Sequence, residues 1–101
     1  MTKTIFEKII LREIPANIHY EDDDLIIIDD VNPVAPIHLL IIPKNKIETL
    51  NDLNDKDTEL IGKMFQAAKK MANKLDIDKS GYRTIFNCNE DGGQTVYQIH
   101  L

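Results

Sequence analysis

The strongest constraint on this chain is a pair of short apolar runs, residues 25–29 (LIIID) and residues 37–42 (IHLLII), separated by the segment DVNPVAP at residues 30–36. Two prolines in four residues fix φ and remove backbone donors, so the connecting segment must be loop. The first run is β-branched and suits a buried strand. Both runs are far too short to span a bilayer. Joined this closely, they predict adjacent antiparallel strands. A shorter strand is expected at residues 18–21, with the acidic residues 21–24 as the turn into the first run.

Helical spacing brackets these strands. In residues 4–11, Phe6, Ile9 and Ile10 recur at helical steps behind Thr4, a suitable N-cap, and Pro15 ends the segment. The clearest helix covers residues 58–75, where Leu60, Ile61, Met64, Phe65, Ala68, Met71, Ala72 and Leu75 make one stripe. Asp55 and Asp57 precede it, where carboxylates favour a helix N-terminus. The Met and Phe side chains of the stripe read as core. After a turn at residues 79–81, residues 82–88 alternate as a strand and residues 89–94 form a loop. Residues 95–101 alternate again, with Tyr97, Ile99 and Leu101 on one side and Val96, Gln98 and His100 on the other. The segregated order predicts an α+β fold, an antiparallel sheet with helix packed on one side. A length of 101 residues points to one domain, residues 1–101. A chain of this size buries somewhat over ~60% of its unfolded surface, enough for a modest core.

Composition narrows the function classes. Hydrophobic residues make up 43% and charged residues 29%, ordinary for a soluble globular protein. The net charge of -5, with no Lys/Arg cluster, argues against a nucleic-acid polymer as partner. Residues 1–12 lack the signal-peptide pattern, and no membrane association is expected. Cys88 is the single cysteine, so no intrachain disulfide forms and a cytoplasmic setting is expected. It reads as a small buried hydrophobe rather than a reactive thiol.

Three histidines are the candidates for chemistry. His19 sits in a polar edge strand and reads as surface. His38 begins an apolar strand after the proline loop, and by itself reads as a satisfied core or loop residue. His100 is more suggestive, because it follows Gly92, Gly93, Gln94 and Thr95. Two glycines let backbone approach a ligand and leave N–H groups free to cradle a phosphate. Thr95 adds a hydroxyl, and an imidazole five residues on has the chemistry to attack phosphorus. The same pair also occurs in plain hairpins, so the pattern leaves both readings open. Asp29 and Asp30 read first as a loop start or Asx turn, and alternatively as a carboxylate for ribose hydroxyls. Asn87 is either a hydrogen-bonded core amide or an orienting residue.

Taken together, TIFEKII (residues 4–10), EIPA (13–16), YEDDD (20–24), DDVNPVAPIHLLIIPK (29–44), GYR (81–83) and DGGQTVYQIHL (91–101) resemble the histidine triad (HIT) superfamily, in particular its Hint branch of nucleoside phosphoramidases. The resemblance runs over nearly the whole length. It implies a five-stranded antiparallel sheet with one long helix and a short N-terminal helix, the last strand truncated at Leu101, and a homodimer built on the long helix and residues 82–88. It implies hydrolysis of a P–N bond at the α-phosphate of a purine nucleotide, with no metal or other cofactor. By position, Ile28 and Val31 would line the base pocket and Asp30 would hold the ribose hydroxyls. Asn87, Gly93, Gln94 and Thr95 would surround the phosphate. His100 would be the nucleophile that takes up the nucleotidyl group, and His38 an accessory histidine beside it. Two departures from the family's His-x-His-x-His motif are visible: Gln98 stands at the first histidine, and the third would fall two residues past His100. Loss of a positioned acid-base group costs about 10²–10⁴-fold in rate. The alternative reading is therefore a nucleotide-binding or scaffold protein with impaired catalysis. A fragment that folds poorly by itself, and a dinucleoside polyphosphate hydrolase or nucleotidyltransferase of another branch, rank below these.

Overall fold

The computed structural model describes residues 2–101; Met1 lies outside the described residues. Helix α1 (Ile5–Ile10) starts as its sequence requires. The Thr4 hydroxyl accepts from the Glu7 N–H (3.1 Å) while the Glu7 carboxylate accepts from the Thr4 N–H (2.8 Å), a complete capping box. Strands β1 (Ile18–Glu21), β2 (Leu25–Asp29) and β3 (Leu39–Pro43) form an antiparallel sheet in the order β1-β2-β3. Two single 3-10 turns, Leu50–Asp52 and Asp55–Asp57, lead into helix α2 (Thr58–Lys74).

The register of β2 explains its unbroken apolar sequence. Leu25 and Ile27 join Ile41, Met64, Met71 and Leu101 in one cluster beneath α2. Ile26 and Ile28 join Ile42, Phe6 and Ile9 in a second cluster beneath α1. Side chains alternate across a strand, so a strand covered on both faces must be apolar at every position. The helix pair thus sandwiches the sheet, where one-sided packing was expected. The short N-terminal helix closes the second face. Each such side chain contributes about 1.5–3 kcal/mol on full burial.

β1 pairs with β2 through Ile18↔Ile28, Tyr20↔Ile27 and Glu21↔Ile26, so His19 is an extra residue in the register. Bulges re-aim side chains, and here the His19 ring reaches Asp29 at 2.8 Å. His19 is thus half-buried on a carboxylate rather than free on the surface.

Five strands were expected, and the described residues pair only three. Residues 82–88 and 95–101 are not strands. Alternation predicts an extended backbone but not a ladder partner, and a strand needs both. One reciprocal pair ties the terminal segment to β3: Ile41 and Leu101 exchange N–H···O bonds at 2.9 Å each. Ile99 donates instead to the Ile47 carbonyl (2.8 Å). Beyond that contact a cleft separates the β3 edge from residues 82–87. The expected sidedness nevertheless holds where contacts define it. Leu101 packs in the α2 cluster, while Val96, Gln98 and His100 meet α1 or its cluster. β3 also begins two residues later than expected, after half-exposed Ile37.

Candidate active site

The cleft has a volume of about 430 Å³ and gathers residues far apart in sequence. Asp30 enters from the end of β2, His38 from the start of β3, and Asn87, Thr95 and His100 from the C-terminal arm. Arg83 lies on the same wall, a cation that sequence reasoning did not single out. Ile28, Val31, Gly93 and Gln94 do not line it. Ile28 is buried in the α1 cluster, and Val31 stands 78% exposed on the loop.

His100 is held from two sides. Its Nδ1 lies 2.9 Å from the Gln98 carbonyl oxygen. A carbonyl only accepts, so Nδ1 carries the proton and, in the neutral ring, Nε2 keeps its lone pair. The Phe6 ring meets the imidazole edge-on, with centroids 4.9 Å apart and planes at 73°. Phe6 was expected only as core. Its spacing could reveal burial but not which ring it would touch.

Asp30 and His38 form a linked pair. The Val34 N–H donates to His38 Nδ1 (3.1 Å), which makes Nε2 the protonated nitrogen. That Nε2 lies 3.3 Å from Asp30 Oδ2, while Asp30 Oδ1 accepts from the Asn32 N–H (2.9 Å). The Asx turn and the site carboxylate are therefore one and the same residue. Neighbouring Asp29 is turned away, bound by the Asn17 amide and then by His19, and these bonds hold its carboxyl below the usual range.

The glycine turn is built differently from the phosphate cradle expected. The N–H groups of Gly92, Gly93 and Gln94 donate to the carbonyls of Asn89 (3.2 Å), Glu90 (2.9 Å) and Asn89 (3.0 Å), so they are spent inside the turn. The glycines serve the turn's own geometry. A Cβ on Gly92 would stand 2.4 Å from the Cys88 carbonyl oxygen, and Gly93 has φ +79. The Gln94 side chain is buried. It accepts from the Asn89 N–H (2.8 Å) and donates to the carbonyls of Glu48 (2.7 Å) and Val96 (3.1 Å). It clamps the arm to the loop before α2 and has no amide atom to spare for a ligand. The turn's bonds stop at Gln94, so the exposed Thr95 N–H and hydroxyl lie outside them. Among the described residues no three His, Cys, Asp or Glu side chains gather as a metal site would need.

This arrangement can be set beside known proteins. The family model described as "Scavenger mRNA decapping enzyme C-term binding" matches residues 3–101. A purine nucleoside phosphoramidase of Escherichia coli (strain K12) is 46% identical over 99 residues, covering 98% of this chain and 83% of that protein. An uncharacterized HIT-like protein of Buchnera aphidicola subsp. Baizongia pistaciae is 43% identical over 101 residues, covering 100% of this chain and 90% of that protein. A HIT family hydrolase from Legionella pneumophila, solved by crystallography, has a TM-score of 0.94 at 47% identity, over 97% of this chain and 88% of that one. Matched in sequence and in backbone over almost its full length, the chain belongs to the histidine triad superfamily.

Proposed function

We propose that this protein binds a purine nucleotide in the cleft and hydrolyses nucleoside 5'-phosphoramidates at the α-phosphate, with His100 as the nucleophile. The observation that carries this reading is the His100 ring. Its Nδ1–H is committed to the Gln98 carbonyl, which leaves the Nε2 lone pair for attack, in a cleft shared with Asp30, His38, Asn87 and Thr95. A relative named as a purine nucleoside phosphoramidase, 46% identical to this chain, supports the substrate class.

In the first step Nε2 attacks the α-phosphorus and the P–N bond breaks. Its electron pair goes to the departing amine, which takes a proton from water. The resulting hydroxide attacks phosphorus, the P–Nε2 bond breaks, and its pair returns to the ring as the nucleoside monophosphate leaves. Throughout, the Nδ1–H···O bond to Gln98 stabilises the positive charge that the ring carries while phosphorylated. Asp30, fixed by His38, would accept the ribose hydroxyls. Asn87 and the Thr95 N–H and hydroxyl would meet phosphate oxygens, with Gly93 and Gln94 shaping the turn that presents them. Ile28 and Val31 would border the base.

Incubation with adenosine 5'-phosphoramidate is the direct test. Release of AMP is expected, and His100→Ala should lower turnover by about 10⁴-fold or more. Tight AMP binding by calorimetry without turnover would leave a nucleotide-binding protein with impaired catalysis; no binding at all would sink both readings. Self-association belongs to the same proposal. Phe65, Tyr82 and Ile85 are 44%, 47% and 52% exposed on α2 and residues 82–88, an apolar surface suited to a second copy. Sedimentation should report a dimer. The lone Cys88 thiol fits a reducing cytoplasm, and no helix among the described residues is long and apolar enough to cross a membrane.

A further inference from the structure

The reaction above uses the backbone of Gln98 but not its side chain, which is completely buried. A buried amide is costly unless both ends are bonded. Here Oε1 accepts from the Thr4 hydroxyl and Nε2 donates to the Pro43 carbonyl (3.4 Å). Pro43 can only accept there, so the amide orientation is fixed by its partners. The Thr4 hydroxyl is fully assigned as well, because it accepts from the Glu7 N–H as the N-cap of α1 and donates its one proton to Gln98. Residue 98 is thereby anchored to α1 on one side and to the end of β3 on the other. Its carbonyl is the atom that receives the His100 Nδ1 proton.

We infer that Thr4 and Gln98 are positioning residues, a tether from the cap of α1 that holds His100 in the tautomer able to attack. The inference rests on His100 being the nucleophile. The other neutral tautomer carries its proton on Nε2 and has no lone pair there. A carbonyl held in place selects against it, and a carbonyl free to drift does not. Phe6, on the same helix, packs against the ring and limits its rotation. The helix cap is thus coupled to the nucleophile through a bond that spans 94 residues of sequence, from Thr4 to Gln98.

The test reads the tautomer directly from nitrogen-15 spectra of the His100 ring in the free protein, at pH about 8.5, where an ordinary imidazole is neutral. The wild type should be mainly the Nδ1–H form. Thr4→Val, which removes the hydroxyl at nearly constant shape, should lower the ratio of Nδ1–H to Nε2–H by about two- to tenfold, the range for one neutral hydrogen bond. Thr4→Ser should restore it. Gln98→Met, which keeps bulk without an amide, should act like Thr4→Val and covers the case in which one variant fails to fold. Glu7→Ala loosens the same cap but spares the Thr4–Gln98 bond, so it should lower thermal stability and leave the ratio unchanged. A wild-type ratio in Thr4→Val and Gln98→Met overturns the inference, as does an equal fall in Glu7→Ala. Lack of turnover in the wild type would instead count against the proposed reaction, which these spectra do not measure.

Discussion

The N-terminal half and the C-terminal arm are held together by different means. From β1 to β3 the chain is a ladder, with β2 paired on both edges and covered on both faces. From residue 82 onward it has no ladder, and its position depends on Ile99, Leu101, the Ile41–Leu101 bond pair and two buried glutamines. Yet the arm supplies Asn87, Thr95 and His100, and the sheet supplies Asp30 and His38. The laddered part carries the residues proposed for the ribose side of the substrate, and the latched part carries those proposed for the phosphate together with the proposed nucleophile. The difference teaches that side-chain amides can do for an unpaired segment what a ladder does for a strand, at the cost of making single residues decisive.

The comparison predicts its largest effect in the sheet. Ile42 is wholly buried between β2 and α1. Ile42→Ala should cost about 2–5 kcal/mol through lost contact and a residual cavity. That corresponds to a fall in Tm of about 10 °C or more for a domain of this size. Calorimetry should show one cooperative transition displaced downward. A loss no larger than that from removing an arm latch would erase the distinction between the two regions.

Gln94→Ala should have a smaller, local effect. It strands the Asn89 N–H and leaves the Glu48 carbonyl without a partner, an expected cost of about 1–3 kcal/mol. Amide exchange should accelerate around residues 89–95 while β1, β2 and β3 keep their protection. Exchange rising equally in β2 would mean that arm and sheet open as one unit.

Much of this division was legible in the sequence, and the illegible part has a common cause. The elements set by local rules appear where expected: the Thr4 cap, the 25–29 strand, the proline loop and the α2 stripe, except that Phe65, expected in the core, lies at the edge of the stripe and is exposed. Asp30, His38, Asn87, Thr95 and His100 were named together as a site from the family resemblance alone, and these five line one cleft. What was missed depends on partners that periodicity does not name. Residues 82–88 alternate in sequence, but they make no ladder bonds and their burial does not alternate. The Gly92–Gly93 N–H groups pair inside their own turn. Gln94 was expected beside the phosphate and Gln98 in place of the motif's first histidine, and both are buried clamps. Their polarity concealed their burial, because a glutamine is buried only when distant backbone supplies its bonds, here from Glu48 and Pro43.

Acid should separate the two regions by a smaller margin. The β1–β2 hairpin is braced by ionised carboxylates. Asp22 accepts from the Tyr20 hydroxyl and the Asp24 and Leu25 N–H groups, and the Tyr20 bond above all holds its carboxyl down at about 2. Glu21 is lowered by Lys44 and Arg12, and Asp29 by Asn17 and His19. A carboxyl depressed in the fold lends stability that is complete above its ordinary value, near 3.8 for Asp22, and is lost as pH falls through the folded value. With these side chains open to solvent, the contribution of Asp22 is about 1 kcal/mol or less after screening. The arm latches are amides and do not titrate in this window. Between pH about 4 and about 2, amide exchange corrected for its intrinsic pH dependence should quicken in Ile18–Glu21 and Leu25–Asp29 relative to Ile99 and Leu101. Equal acceleration in both would show that the hairpin carboxylates stabilise the molecule as a whole and not the sheet in particular.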